Sequence, residues 1–248
     1  PLILDAPFVI DQGPGLPKWR PANYTKKFYG PSTMRLGLEK SRNLMTWRIA
    51  QYLGMDTISG YAKRFNIHPN LPLMPSMALG AGETTVLRLT TAYAMLVNGG
   101  RYIEPSFVER IQDRHGQTVY TRDGRDCGGC ADLRWEKQAP LLLPDMREQV
   151  ADPLSAYQTV SMLEGVVLRG TGRSIKVLGK PIGGKTGTTN QFRDAWFVGF
   201  SPDLAVGVYI GFDQPKTLGR RESGGKVAAP IFREFMRHAL ANTPAVPF

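Results

Sequence analysis

The segment Gly183-Gly184-Lys185-Thr186-Gly187-Thr188-Thr189-Asn190 is followed closely by the apolar run Ala195-Trp196-Phe197-Val198-Gly199-Phe200. The first segment combines a lysine, three threonine hydroxyls and several glycines, and the second is rich in residues that favour strands. We therefore predict strands over 182–188 and 195–200. A strand that carries its polar groups at one end is well suited to bind an anion beside a reacting carbonyl.

The rest of the chain predicts helices first, then an antiparallel run of strands, then a terminal helix. Apolar residues at helical spacing, capping residues and terminating glycines define the helices. We predict helices over 33–40, 44–53, 57–65, 85–97, 153–168 and 227–240. We also predict a hairpin over 107–121 and a third strand over 204–212, and we expect residues 1–31 to be irregular or extended. This order is typical of an α+β fold, with an antiparallel sheet flanked by helices.

Composition limits the classes of partner. The chain has 248 residues and a net charge of +10, from 31 Lys and Arg against 21 Asp and Glu. An excess of positive charge favours an acidic partner. The basic residues are scattered, however, and no basic run alternates with aromatic residues, so we do not expect nucleic-acid binding. No apolar stretch approaches the roughly 20 residues that span a bilayer.

The two cysteines, Cys127 and Cys130, lie in a polar stretch. Two thiols cannot fill a tetrahedral zinc site, and the histidines have no ligand spacing with them. We favour a small structural disulfide in an exported protein over redox chemistry. A pair of free thiols in a cytosolic protein is the alternative.

Three interpretations compete for Lys185. Residues Gly179 to Thr186 satisfy the phosphate-loop pattern, but that site needs a helix to begin at the lysine, and an aromatic β-forming run follows instead. The segment can also be a plain hairpin edge whose charge discourages edge pairing. The third interpretation is the substrate-binding strand of a serine acyltransferase, in which a peptide lies along the strand and its terminal carboxylate is bound by the lysine and the hydroxyls.

A second motif supports the third interpretation. The tripeptide Ser41-Arg42-Asn43 lies between two predicted helices, well upstream of Lys185. A Ser-x-Asn and a Lys-Thr-Gly element, in this order, are two of the three motifs of β-lactamases and penicillin-binding proteins. Either motif alone occurs often by chance, but the ordered pair is far more specific.

The chain resembles the transpeptidase domain of class A, or bifunctional, penicillin-binding proteins of the 1A type. The resemblance rests on the residues from Lys185 to Phe200 and extends over nearly the whole chain. It includes the segments 78–85, 164–172 and 224–232. It implies the penicillin-binding and serine β-lactamase-like fold, with residues 1–248 forming the C-terminal part of one transpeptidase domain and 113–148 a loop-rich insertion.

The resemblance also implies an activity. The family cross-links peptidoglycan stem peptides ending in D-Ala-D-Ala through a serine acyl-enzyme, and β-lactams acylate the same serine. By resemblance, Ser41 belongs to the proton relay and Asn43 hydrogen-bonds the substrate and the nucleophile's lysine. Lys185, Thr186 and Thr188 hold the carboxylate, beside Gly187, and the Thr188 amide serves the oxyanion hole. No metal or other cofactor is implied, and the expected location is the periplasmic face of the bacterial inner membrane.

The nucleophile motif Ser-x-x-Lys should precede Ser41. Ser32 is followed at the third position by Arg35, and a guanidinium cannot act as a general base near neutral pH. Ser223 and Lys226 fit the letters, but they follow the Lys-Thr-Gly segment and we interpret them as a chance match. We therefore expect the sequence to begin after the catalytic serine, with a glycosyltransferase domain and a membrane anchor further upstream.

Two other functions stay open at this point. One is a nucleotide-binding protein that uses Gly179 to Thr186 as a phosphate loop, and the other is a non-catalytic module that binds the cell wall. The extent of the resemblance disfavours a D,D-carboxypeptidase or a β-lactamase of the same fold.

Overall fold

The computed structural model describes residues 1–11, 14–15, 17–125, 134, 137 and 143–248. Cys127 and Cys130, for which the sequence predicts a disulfide, lie outside these residues. The helices of the described part are α1 (Met34–Glu39), α2 (Asn43–Leu53), α3 (Met55–Arg64), α4 (Val86–Val97), α5 (Pro153–Leu168) and α6 (Ala228–Ala239). Its strands are β1 (Leu2–Asp5), β2 (Gly30–Thr33), β3 (Arg110–Gln112), β4 (Thr118–Thr121), β5 (Gly183–Thr188), β6 (Ala195–Phe200) and β7 (Ala205–Ile210).

The central sheet is antiparallel and has the strand order β5-β6-β7. Gly183 pairs with Phe200 at one end of β5, and Thr188 pairs with Ala195 at the other. Within the described ranges β5 is paired with β6 alone, so its second edge carries no strand there. The predicted α+β architecture, with an antiparallel sheet flanked by helices, is confirmed.

Helices cover both faces of this sheet. On one face α6 packs through Phe232 against Phe197, with ring centroids 4.7 Å apart, and both residues are buried. On the other face Phe200 packs with Leu163 of α5 and Tyr93 of α4. Successive side chains of a strand point to opposite faces, so a strand covered by helices on both sides needs apolar residues at every position. The continuous apolar run over 195–200 meets this requirement.

Three of the six helices named above begin at a side-chain cap, formed by Thr33, Thr85 and Asp152. The Thr33 hydroxyl accepts a hydrogen bond from the Leu36 amide at 3.2 Å, which begins α1. The Asp152 carboxylate accepts from the Ser155 amide at 2.8 Å, with Pro153 in the first turn of α5. A side-chain oxygen that accepts from the first turn satisfies an amide that the helix itself leaves free. The predicted helices over 33–40 and 153–168 are confirmed.

The pairing of β1 with β2 was not predicted. Leu2 pairs with Thr33 and Asp5 with Gly30, in antiparallel register. The buried Asp5 carboxylate accepts from the side-chain Nδ2 of Asn23 at 2.8 Å, which joins the intervening segment to this pair. Both strands are short and show no apolar alternation, so the local sequence has no signal for them.

A long connecting segment lies between α4 and α5. Arg101 forms an isolated bridge with Gln149, and the Val150 amide donates to the Gly100 carbonyl at 2.8 Å. The two ends of this connecting segment therefore lie side by side, and the predicted hairpin, β3 with β4, lies within it. The insertion over 113–148 stays a prediction. Among the helices of the described residues, none is long and apolar enough to cross a bilayer.

The tight packing of β5 generates a test. A Cβ at Gly184 would lie 2.7 Å from the Phe197 ring and 2.8 Å from the Val198 carbonyl oxygen. We expect Gly184→Ala to lower the free energy of unfolding by about 1–3 kcal/mol, because the backbone must shift. The matched control is Gly60→Ala in α3, where a Cβ meets nothing within 4 Å. That change should raise the free energy of unfolding by roughly 0.5–1 kcal/mol in denaturant titrations. Equal effects at the two positions would contradict this packing.

Candidate active site

Ser41 lies in the tight connection between α1 and α2. Its φ is +54°, in the left-handed region that residues other than glycine rarely adopt. The Ser41 amide donates to the Leu38 carbonyl at 3.1 Å, and the Arg42 amide donates to the Gly37 carbonyl at 2.9 Å. These bonds hold the backbone in an unfavourable conformation, which is a recurrent feature of functional sites.

Lys185 brings the two sequence motifs together. Its Nζ donates to the Ser41 Oγ at 2.6 Å and to the Thr186 carbonyl at 2.9 Å. Ser41 and Lys185 are 144 residues apart in the sequence. The Ser-x-Asn and Lys-Thr-Gly segments are therefore in direct contact, at the end of α1 and in the middle of β5.

Burial changes the acidity of this lysine. Desolvation lowers the pKa of Lys185 from 10.5 to about 8. At neutral pH the ammonium is still mostly protonated and can donate both hydrogen bonds. A modest change in its surroundings is enough to release the proton, and a lysine of this kind can pass protons to and from a neighbouring hydroxyl.

Thr186 and Thr188 lie on the other face of β5. Lys185 is paired with Val198, whereas Thr186 is paired with Phe197, whose ring points to α6. The Thr186 and Thr171 hydroxyls are 2.7 Å apart and share a hydrogen bond. The Gly224 amide donates to the Thr188 Oγ1 at 3.0 Å. The three predicted carboxylate ligands thus follow one another along β5, with the lysine on one face and the hydroxyls on the other.

Gly187 lies where another segment crosses the sheet. A Cβ at Gly224 would lie 2.4 Å from the Gly187 carbonyl oxygen and 2.3 Å from that of Trp196. The turn before α6 therefore rests directly on the β5–β6 pair, which requires glycine at 224.

Asn43 begins α2, two residues after Ser41. Its amide Nδ2 donates to the Ala22 carbonyl at 2.9 Å. The side chain thus contacts the segment between β1 and β2, and the predicted role of Asn43 in binding a substrate amide stays a prediction. Arg42, between Ser41 and Asn43, points into the interior, where its guanidinium lies 3.6 Å from the Asp5 carboxylate and over the Tyr29 ring.

Neither candidate Ser-x-x-Lys position forms a serine–base pair. The Ser32 hydroxyl accepts from the Arg42 guanidinium at 2.7 Å, whereas Arg35 donates to the Ser161 carbonyl at 2.9 Å. Ser223 and Lys226 lie in the turn before α6, and Lys226 is exposed. The turn is not a helix, which would place residues three apart on one face.

The geometry also differs from that of a phosphate loop. Lys185 lies inside β5, and the residues after the strand form a three-residue turn, Asn190–Phe192, and then β6. A phosphate loop needs a helix that begins at the lysine, so that its amides face the phosphates. The alternative nucleotide-binding site over Gly179 to Thr186 is therefore wrong.

Residues 3–237 match the family described as the penicillin binding protein transpeptidase domain. The chain belongs to this family. The predicted resemblance is thereby confirmed for the domain as a whole.

Curated relatives of this transpeptidase domain carry the name penicillin-binding protein 1A. The protein of that name from Rickettsia bellii is 50% identical over 246 residues, which are 98% of this chain and 31% of the relative. The one from Neisseria lactamica is 39% identical, over 98% of this chain and 29% of the relative. The chain thus spans about a third of the length of these relatives.

Solved structures agree with this assignment. The crystal structure of penicillin-binding protein 1A from Haemophilus influenzae matches with a TM-score of 0.86 and 31% identity, covering 100% of this chain and 40% of that one. PonA1 from Mycobacterium tuberculosis, in complex with penicillin V, matches with a TM-score of 0.78 and 21% identity, over 100% of this chain and 65% of that one. The second likeness concerns the fold alone.

Sequence reasoning missed the residues that pack behind the Ser41–Lys185 pair. Thr171 contacts Thr186, and Arg169 binds the buried Glu39 two residues before Ser41. The signals were the Gly-Thr-Gly tripeptide over 170–172 and an acidic residue at the end of an apolar helix. Both are too common to interpret without coordinates.

The buried ammonium predicts a pH dependence of stability. Between about pH 8 and 10.5 the unfolded chain binds more protons at Lys185 than the folded chain, so the free energy of unfolding rises with pH. Below pH 8 both states are protonated and the full cost of burying the charge remains. Because Lys185 is partly exposed by surface area, the rise of about 2 kcal/mol by pH 10 is an upper limit.

We expect Lys185→Met to abolish this rise in denaturant titrations from pH 7 to 10, and the exposed Lys63→Met on α3 to retain it. Measurements should stop near pH 10, because burial raises the pKa of Tyr93 to about 12 and that group has the opposite effect at higher pH. A rise that persists in Lys185→Met would show that the ammonium is not desolvated.

Proposed function

We propose that this chain is part of a peptidoglycan D,D-transpeptidase and forms the carboxylate-binding and proton-relay half of its active site. The observation that carries the proposal is the 2.6 Å contact between the Lys185 Nζ and the Ser41 Oγ, beside the unpaired edge of β5. A half-buried lysine paired with a serine at an open strand edge offers both a proton path and a surface for a peptide backbone.

In this proposal a stem peptide ending in D-Ala-D-Ala lies along β5 as an added strand. Main-chain hydrogen bonds to β5 give register, and Gly187 allows the peptide a close approach. The terminal carboxylate reaches the Lys185 ammonium from one side of the strand edge and the Thr186 and Thr188 hydroxyls from the other. Charge-assisted hydrogen bonds of this kind are stronger than neutral ones. The Thr188 amide stabilises the oxyanion that forms on the penultimate carbonyl.

The proposed reaction is a double displacement on that carbonyl. A serine oxygen attacks it, the amide bond to the terminal D-alanine breaks, and that D-alanine leaves with a proton. An amine of a second stem peptide then attacks the acyl-enzyme ester and forms a new amide, while the ester bond breaks and the amine's proton returns to the released serine oxygen. Ser41 and Lys185 carry the proton between nucleophile and leaving amine, and Asn43 holds the substrate amide. β-Lactams acylate the same serine as mimics of the stem peptide.

We propose that the nucleophile comes from a segment outside this sequence. Support comes from the positions of Ser32 and Ser223, neither of which faces a lysine in a helix. The glycosyltransferase activity, the membrane anchor and the periplasmic location belong to the longer protein in the same proposal.

Peptide binding tests the carboxylate site. In NMR titrations, diacetyl-L-lysyl-D-alanyl-D-alanine should perturb the β5 amides, and its C-terminal amide should bind at least about tenfold more weakly, because it lacks the charge. Lys185→Met should weaken binding by a similar factor, whereas Thr118→Ala on the distant β4 should not change it. Equal binding of the acid and the amide would contradict the proposal.

Covalent labelling tests the position of the nucleophile. We expect no adduct by intact mass when this chain is incubated with a labelled penicillin, because it lacks the attacking serine. An adduct that maps to Ser32, Ser41 or Ser223 would refute an external nucleophile. Peptide binding without any acylation by the longer protein would favour a non-catalytic cell-wall module instead.

A further inference from the structure

A buried carboxylate lies directly behind the Ser41–Lys185 pair. The Glu39 side chain is 2% exposed, at the end of α1. Its two oxygens accept from Arg169, just after α5, at 3.0 Å and 2.6 Å. Two parallel bonds between a guanidinium and a carboxylate fix orientation as well as distance. Arg169 is 53% exposed, so the pair spans the boundary between the interior and solvent.

The residues on either side of this ion pair are also joined. The Thr171 amide donates to the Glu39 carbonyl at 3.2 Å. The Lys40 ammonium donates to the Arg169 carbonyl at 2.5 Å. The end of α1 and the turn after α5 therefore form one bonded unit, and Ser41 is the next residue after it.

Two glycines in this unit lie where a side chain would have no space. A Cβ at Gly165 would lie 2.1 Å from the Glu39 Oε1, and a Cβ at Gly170 would lie 2.3 Å from the Glu39 carbonyl oxygen. Gly165 of α5 therefore lies against the Glu39 carboxylate, and the turn after α5 lies against the Glu39 backbone, so a side chain at either glycine would displace Glu39.

Two lines of contact lead from the ion pair to β5. One runs from Glu39 through Lys40 to Ser41 and ends at the Lys185 ammonium on the first face of the strand. The other runs from Arg169 through Gly170 to Thr171 and ends at the Thr186 hydroxyl on the second face. Groups on both faces of β5 are thus located by one ion pair, although Glu39 and Arg169 touch neither Lys185 nor Thr186.

We propose that Glu39 and Arg169 are positioning residues that hold Ser41 against Lys185 and Thr171 against Thr186. The inference rests on the proposed function for its meaning, since it assigns the ion pair to the same proton relay and carboxylate site. The readouts below need no substrate, however, so they can fail while peptide binding succeeds, and the reverse.

The test compares variants of the ion pair with a matched surface pair. Arg169→Gln removes the two parallel hydrogen bonds to Glu39. The double variant Glu39→Gln/Arg169→Gln also removes the buried negative charge, so that no carboxylate is left unpaired. Arg169→Lys keeps the positive charge but cannot form the two parallel bonds. The control is Arg237→Gln on α6, where Arg237 binds Glu234 through two bonds of 3.2 Å and 2.5 Å on an exposed surface.

Two site-specific readouts separate positioning from plain stability. The first is the titration of the Lys185 Nζ by NMR, whose pKa should rise from about 8 toward 10.5 once Ser41 moves away and water reaches the ammonium. The second is hydrogen exchange at the Ser41 amide, which should become about tenfold faster or more. Both changes should occur in Arg169→Gln and in the double variant, be smaller in Arg169→Lys, and be absent in Arg237→Gln.

The proposal is overturned if the folded variants keep the wild-type titration of Lys185 and the wild-type exchange at Ser41, whatever their melting temperatures. It is also overturned if Arg237→Gln changes both readouts as much as Arg169→Gln does. If the two glutamine variants fail to fold, Arg169→Lys decides the question. An unchanged Lys185 titration and unchanged Ser41 exchange without the two parallel hydrogen bonds would exclude a positioning role.

Discussion

The structure depends on one contact that requires desolvation of a charge, the hydrogen bond between the Lys185 ammonium and the Ser41 hydroxyl. Withdrawing an ammonium from water opposes folding, which is why its pKa falls to about 8. Among the described residues, the Ser41 Oγ and the Thr186 carbonyl accept hydrogen bonds from this ammonium. The surrounding packing must therefore hold both oxygens in place, and the elements around the site are arranged to do so.

That arrangement explains several features that look unrelated when taken singly. Ser41 accepts a left-handed backbone because the end of α1 is fixed to α5 by an ion pair, a side-chain bond and two close glycine contacts. Gly184 lets β5 pack against β6 and Phe197 without shifting Lys185. Gly224 lets the turn before α6 reach the Thr188 hydroxyl. Each of these features places one polar group beside the same unpaired edge of β5.

A large part of the fold could be predicted from local signals. Caps at Thr33 and Asp152 begin α1 and α5, and the apolar run over 195–200 forms the central strand, because these signals act within a few residues of themselves. The β1–β2 pair could not be predicted in the same way. Its strands are short, and their pairing forms only after the chain has folded back, with the Asp5–Asn23 contact joining the intervening segment to them.

The sequence by itself determined the order of helices and strands and the two motifs of the candidate site, since both depend on neighbouring residues. It also excluded Arg35 as a general base, because no environment deprotonates a guanidinium near neutral pH. Only the tertiary structure decided that Lys185 contacts Ser41, that its ammonium is desolvated, and that Glu39 and Arg169 lie behind Ser41. Those properties arise from contacts between residues more than a hundred positions apart, as in the 144-residue separation of Ser41 and Lys185, and local sequence does not encode them.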